Sequence, residues 1–111
     1  MTRSAEFRAT VQDGVRAAQR DLVVHARREP CDPDGPRIGL VVSKAVGGSV
    51  DRHRVSRRLR HVVGDMIGEL AAEDRIVIRA LPGSRDVASA RLRGELERGI
   101  RRTRELMERS R

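Results

Sequence analysis

The chain has 111 residues and a formal net charge of +8 at pH 7. This length fits one compact domain over residues 1–111 and leaves no room for a second core. The apolar runs are far shorter than the roughly 20 residues that cross a bilayer, and no apolar signal segment follows Met1. We therefore expect a cytoplasmic protein without membrane contact. Phe7 is the only aromatic residue, which argues against modules that stack several RNA bases on aromatic rings.

The positive charge is carried almost entirely by arginine, because Lys44 is the only lysine among 24 basic residues. The planar guanidinium group suits bidentate phosphate contacts, although a GC-rich genome also enriches arginine codons. Cys31 has no second cysteine with which to form an internal disulfide, and this fits a reducing compartment. No Cys/His cluster is present, and we predict no metal site on the protein.

Apolar spacing predicts the elements of the first half of the chain. Phe7 and Val11 recur at helical spacing and predict a helix over 4–14. A β-branched run predicts a strand over 22–26, with a short strand before it. Residues 29–36 are rich in proline and predict a loop. The segment 37–43 is apolar on both faces and predicts a central strand of the sheet.

The second half of the chain predicts a long helix, a strand and a last helix. The pair Gly47-Gly48 separates the preceding strand from an amphipathic helix over 50–70. A buried strand follows over 75–81, and a helix over 89–109 ends the chain. This order predicts an α/β (α+β) two-layer sandwich, in which three helices pack with a mixed sheet of about four strands.

The helix over 50–70 carries an unusual concentration of arginine. Five arginines lie between Arg52 and Arg60, and no acidic residue follows until Asp65. At about 100° per residue, one set of cations lies opposite the apolar side, with two more flanking it. The set is Arg54, Arg57, Arg58 and His61, and the flanking pair is His53 and Arg60.

Like charges at this spacing destabilise a helix, so the cation ridge needs an explanation. A solvated face normally interleaves acidic residues, as the last helix does with Glu95, Glu97, Glu105 and Glu108. The contrast between the two helices favours a phosphate-binding surface over an inert solvated face.

The segment from Lys44 to Arg60, KAVGGSVDRHRVSRRLR, resembles the signature of the bacterial ribonuclease P protein component. The resemblance extends to Phe7 and Gly14, to residues 36–44 and to the strand at 76–80, in the family's order. It implies a fold like that of ribosomal protein S5 domain 2, with a left-handed βαβ crossover through the signature helix. It also implies a monomeric protein subunit of a ribonucleoprotein endonuclease that removes the 5′ leader of precursor tRNA.

The implied partners are the ribonuclease P RNA subunit and precursor tRNA. In the family the catalyst is the RNA with its Mg²⁺ ions, so the resemblance implies no catalytic residue and no tightly bound cofactor on the protein. The implied RNA-binding residues are Lys44, Arg52, His53, Arg54, Arg57, Arg58 and Arg60. The implied cleft for the leader, between the first helix and the sheet, contains Phe7, Val11 and His25.

The signature departs from the family at several positions. His53 and Gly48 stand where asparagine is usual, Ala45 replaces a second lysine, and Ser56 replaces a basic residue. In the leader cleft, Val11 and His25 stand where aromatic residues are usual. The arginines that match the basic positions of the signature are retained, and His53 can still donate and accept hydrogen bonds.

Other interpretations of the same residues stay open at this point. Phe7 is equally explained as a core residue, and His25 as a structural histidine of a strand. A basic helix would also serve a non-catalytic ribosomal or nucleoid-type nucleic-acid-binding protein. An autonomous nuclease is disfavoured, because metal-assisted cleavage needs clustered carboxylates and the signature region has almost none.

Overall fold

The computed structural model describes residues 4–29 and 35–109, with side chains from residue 7 onward. Its elements are α1 (Ser4–Asp13), β1 (Val15–Ala18), β2 (Leu22–Arg28), β3 (Arg37–Val41), α2 (Ser49–Met66), β4 (Asp74–Ala80) and α3 (Ser89–Arg109). Short 3₁₀ helices, Ile67–Glu69 and Pro82–Asp86, follow α2 and β4. The predicted three helices and four-stranded mixed sheet are confirmed. Cys31 and most of the predicted loop lie outside the described residues.

The strands form one sheet in the order β1-β2-β4-β3, in which only β3 and β4 are parallel among the described strands. The segment β3–α2–β4 is therefore a crossover between neighbouring parallel strands, and its left hand stays a prediction. The prediction of a central strand at 37–43 is wrong, because β3 lies at the edge. The side chains of Ile38 and Leu40 pack against the core. The apolar run of β3 is therefore explained by packing of one face against the helices, and a central position in the sheet is not needed.

The core lies between one face of the sheet and the helices α2 and α3. The alternation of the strands and the 3.6-residue repeat of the helices bring the same apolar set together. Its fully buried members include Leu22, Val24, Leu59, Leu92 and Leu96. A Cβ atom on Gly99 of α3 would lie 2.5 Å from Val24 Cγ2. Glycine at this position lets α3 approach β2 closely.

Helix α1 lies on the other face of the sheet. Val23, His25 and Arg27 of β2 alternate with the core residues and point to this face. Arg27 Nε donates to Thr10 Oγ1 of α1 at 3.2 Å, and α1 also contacts β4. Val77 of β4 is fully buried on this side. We infer that α1 covers part of the outer face and leaves the remainder open to solvent.

The long helix ends earlier than its apolar pattern predicts. Helix α2 stops at Met66, and the backbone continues as the 3₁₀ helix, whose Ile67 carbonyl accepts from the Leu70 N–H at 3.2 Å. Gly64 and Gly68 flank this point, and glycine is an unfavourable helix residue. The last helix has the limits that the sequence predicts.

Glu95 of α3 is buried, which contradicts its assignment to a solvated face. Its Oε1 accepts from the Asp21 N–H at 2.6 Å. Arg91 Nε lies 3.3 Å from Asp21 Oδ2 and 3.5 Å from Glu95 Oε2. Burial raises the pKa of Glu95, and its hydrogen bond and charge contact with the Asp21 carboxylate raise it further. The three side chains tie α3 to the turn between β1 and β2.

We expect Glu95→Gln to stabilise the protein at neutral pH. A pKa raised on folding favours the protonated carboxyl, so this contribution is lost as the pH rises above about 4.3, the ordinary glutamate value. Glutamine keeps the acceptor for the Asp21 N–H without the charge. Denaturant unfolding should find the variant more stable than the parent at pH 7, with an advantage that shrinks toward pH 4. If the free energy of unfolding of the parent rose relative to that of the variant as the pH increased, the raised pKa of Glu95 would be contradicted.

Candidate nucleic-acid interface

The outward side of α2 forms a cleft with the start of α3. The apolar side of the helix fixes this orientation, because Val55, Leu59, Val62 and Met66 are buried against the core. The cleft has a volume of about 580 Å³. It is lined by Val50, His53, Arg54, Arg57, Arg58, His61 and Ser89. Five of the seven lining residues carry basic or imidazole groups, so the cleft suits an anionic ligand.

The cations of this cleft have few internal partners. Arg54 and Arg57 are exposed, and neither has an acidic partner within the described ranges. Arg58 Nη1 donates to the Val87 carbonyl at 3.2 Å, which holds its side chain beside the start of α3. Asp65, one turn after His61, pairs with Arg93 of α3 instead. The positive charge of the cleft is therefore not neutralised by the described acidic residues, and it can bind an external anion.

The remaining signature arginines lie on the β3 side of α2. Arg60 is exposed and lines a separate groove of about 350 Å³ with Ile38, Leu40 and Val63. Arg52 is half-buried, and its Nε is a buried atom without a hydrogen-bond partner. The four residues of the predicted ridge thus lie together in the cleft and form an outward group with His53. The other flanking residue, Arg60, lies on the β3 side. Arg52 is about three helical turns before Val63 of that groove, and it forms the β3-side group with Arg60.

A tight turn places Lys44 between β3 and α2. The Lys44 side chain is exposed, and its carbonyl accepts from the Gly47 N–H at 3.2 Å. Gly47 has φ of 155°, and a Cβ atom there would lie 2.8 Å from Asp51 Oδ2. Glycine is required at this position, since a side chain would meet both a steric and a backbone penalty.

The predicted leader-cleft residues lie where α1 meets the outer face of the sheet. Phe7 and Val11 of α1 are half-buried, whereas His25 of β2 is only 6% exposed. Burial lowers the pKa of His25, and the charges of Arg79 and Arg16 lower it further. His25 is thus a neutral, almost covered ring, and little of it is available to a base.

Sequence patterns did not single out Arg16 and Arg79. Both side chains are exposed, on β1 and β4 respectively. Arg79 interrupts the apolar run of its strand, which is a weak signal for an outward position. Which face it occupies depends on the register of the sheet, in which Arg79 pairs with Val23.

We expect the stability of the parent protein to fall as the pH drops below about 6.5, the ordinary histidine value. The lowered pKa of His25 means that the folded state resists its protonation, while the unfolded state accepts the proton. His25→Gln removes this titration. The unfolding free energy of the parent minus that of the variant should decrease as the pH falls from about 6.5 into the acidic range. A constant difference across this window would contradict the burial of a neutral ring.

The fold and the cation cleft define a small α/β protein of the polyanion-binding class. The family model Ribonuclease P matches residues 1–104 of the chain. The chain is 65% identical over 105 residues to the ribonuclease P protein component of Mycolicibacterium paratuberculosis, covering 92% of this chain and 88% of the relative. The chain therefore belongs to the ribonuclease P protein family, whose members are the protein components of that enzyme, and the resemblance seen in the signature segment is confirmed.

Further relatives agree with this assignment. The component from Mycobacterium bovis is 52% identical over 106 residues, covering 96% of this chain and 90% of the relative. The RNase P protein of Staphylococcus aureus has the same fold, with a TM-score of 0.80 at 24% identity over 91% of both chains. That of Thermotoga maritima, solved with 1-(4-fluorophenyl)-2-thiourea, has a TM-score of 0.76 at 20% identity over 88% of this chain and 94% of its own.

These matches do not favour the ribosomal or nucleoid-type alternative. The described helices include none with the length and apolar character that a membrane span requires.

Proposed function

We propose that this chain binds the catalytic RNA subunit of ribonuclease P through α2 and assists removal of the 5′ leader from precursor tRNA. The observation that carries the proposal is the outward cleft of cations without acidic partners. In this proposal the RNA and its Mg²⁺ ions perform the hydrolysis. The protein supplies no catalytic residue and holds no tightly bound cofactor. It acts as a monomer within a cytoplasmic ribonucleoprotein.

The chemistry of the contact is phosphate neutralisation. Each arginine that replaces a condensed counterion strengthens binding and reduces the local demand for Mg²⁺. The outward group and the β3-side group face different sides of α2, so we expect them to contact separate stretches of RNA backbone. The proposed contacts are Lys44, Arg52, His53, Arg54, Arg57, Arg58 and Arg60.

The leader of the precursor is proposed to lie on the outer face of the sheet beside α1. Phe7 and Val11 are half-buried at this junction, and His25 lies beneath it. The hydrogen bond between Arg27 and Thr10 holds α1 against β2 and so fixes the edge of the cleft. This face is opposite to the core side, on which α2 and α3 pack, and the part that α1 leaves uncovered is proposed to receive a single strand.

Partner choice tests this function against a general nucleic-acid-binding protein. We would measure Kd for folded bacterial ribonuclease P RNA and for duplex DNA with a matched number of phosphates, at the same salt concentration. The proposal predicts binding to the RNA that is tighter by roughly tenfold or more. Equal or tighter binding to the duplex would support the nucleoid-type alternative and contradict the proposal.

A further inference from the structure

Two arginines flank β2 on the outer face of the sheet. Arg16 of β1 pairs with His25 of β2, and Arg79 of β4 pairs with Val23 of β2. Their strands lie on either side of β2, two strand spacings or about 9.6 Å apart. Both side chains are exposed, and both charges act on His25. The two guanidinium groups therefore lie on one surface, within reach of a single extended ligand.

The positive charge of this pair is not balanced internally. Neither the Arg16 nor the Arg79 guanidinium group has a hydrogen bond or an ion pair with the described residues. Both charges act on His25, which offers no negative charge, because its burial and these same charges lower its pKa. An anion at this surface would relieve the repulsion between the two arginines.

The same surface has little to offer the bases of a single strand. Base stacking in single-strand sites depends on aromatic side chains. Here the only aromatic residue, Phe7, is half-buried, Val11 is aliphatic, and His25 is 6% exposed. This face therefore presents two exposed cations, Arg16 and Arg79, but only one aromatic ring, which is half-buried.

We propose that Arg16 and Arg79 bind phosphates of the single-stranded 5′ leader, so that this chain recognises the leader by its backbone rather than by stacking its bases. This inference rests on the proposed binding of the leader at this face. A charge-based contact is indifferent to base identity, and the protein should accept leaders of widely different sequence.

The double variant Arg16→Gln with Arg79→Gln tests the pair in the assembled holoenzyme. The readout is the ratio of Kd values for a leaderless tRNA and for the same tRNA with its leader. We expect this ratio to fall by roughly fivefold in the double variant. The leader's contribution to binding also depends on salt. The slope of its log K against log salt concentration should become shallower by about 1.4, as expected for two lost single-strand phosphate contacts.

Two further variants separate charge from other effects. Arg101→Gln removes an exposed arginine of α3, on the opposite side of the sheet, and should leave the ratio unchanged. The double variant Arg16→Lys with Arg79→Lys keeps both charges and should keep most of the leader's contribution to binding. An unchanged ratio in the glutamine variant, or the same loss in the lysine variant, would overturn the proposal.

A precursor with an abasic leader provides the complementary measurement. If the backbone carries the contact, the parent holoenzyme should bind it within about twofold of the normal leader, since base stacking contributes little. If the abasic leader binds as weakly as no leader, the bases carry the contact and the proposal is wrong. Equal binding of leader-bearing and leaderless tRNA by the parent would reject leader binding itself, while assembly with the RNA subunit, measured separately by gel shift, would report on the remaining function.

Discussion

Replacing Arg54 and Arg57 together by alanine is expected to weaken binding to ribonuclease P RNA on the order of 30-fold at moderate salt, because two charge-assisted phosphate contacts are removed. Both guanidinium groups are exposed in the cleft on α2 and have no acidic partner within the described ranges. Their replacement frees no buried acid and removes no core contact. The loss of affinity should therefore occur without a loss of stability.

Salt dependence distinguishes these contacts from a general decrease in affinity. Each lost phosphate contact should reduce the slope of log K against log salt by about 0.9, or about 1.8 for the pair. Arg101→Ala serves as the matched control, because it removes one exposed cation on α3 away from the cleft. Parent-like binding of the double variant at both low and moderate salt would exclude Arg54 and Arg57 from the RNA site.

Leu59→Ala is expected to lower the free energy of unfolding by about 2–5 kcal/mol, through lost burial and a residual cavity. Leu59 is fully buried on the inner side of α2, and its neighbours in the core come from the sheet and from α3. Small domains have about 5–15 kcal/mol of stability, so this change removes a large fraction of it. The outward arginines depend on this packing, because it fixes the rotation of α2 about its axis.

Val50→Ala provides the comparison on the same helix. Val50 is 70% exposed, and its truncation should change stability by less than about 0.5 kcal/mol. Denaturant unfolding of the parent and both variants gives the change in the free energy of unfolding for each substitution. The two changes can be compared directly if the three proteins have equal m-values. A Leu59→Ala variant as stable as Val50→Ala would mean that α2 does not pack against the sheet through this side.

Local patterns were sufficient to predict the elements of the fold but not the neighbours of each strand. The periodicity of α2 and α3 is strong, since both helices have one apolar side against the core. The edge position of β3 could not be predicted, because its apolar run is equally compatible with a central strand. Pairing with β4 is a long-range property of the chain, and the resemblance was needed to anticipate it.

The candidate site was predicted as a set of residues but not as a geometry. The arginines of α2 were identified from their density, whereas their division between an outward cleft and the β3 side depends on where α2 packs. Arg16 and Arg79 were missed, because only the sheet register places them on one face. Glu95 was misassigned because its partner, Asp21, is 74 residues away in the chain.

The most direct test of the proposed function is cleavage of a precursor tRNA by bacterial ribonuclease P RNA at low Mg²⁺, with and without this protein. The protein alone is assayed in parallel. We predict that cleavage at the mature 5′ end is restored only in the mixture, because cations of α2 that neutralise RNA phosphates would lower the Mg²⁺ that the RNA requires. Absence of restoration, or cleavage by the purified protein alone, would contradict a role as the protein partner of an RNA catalyst.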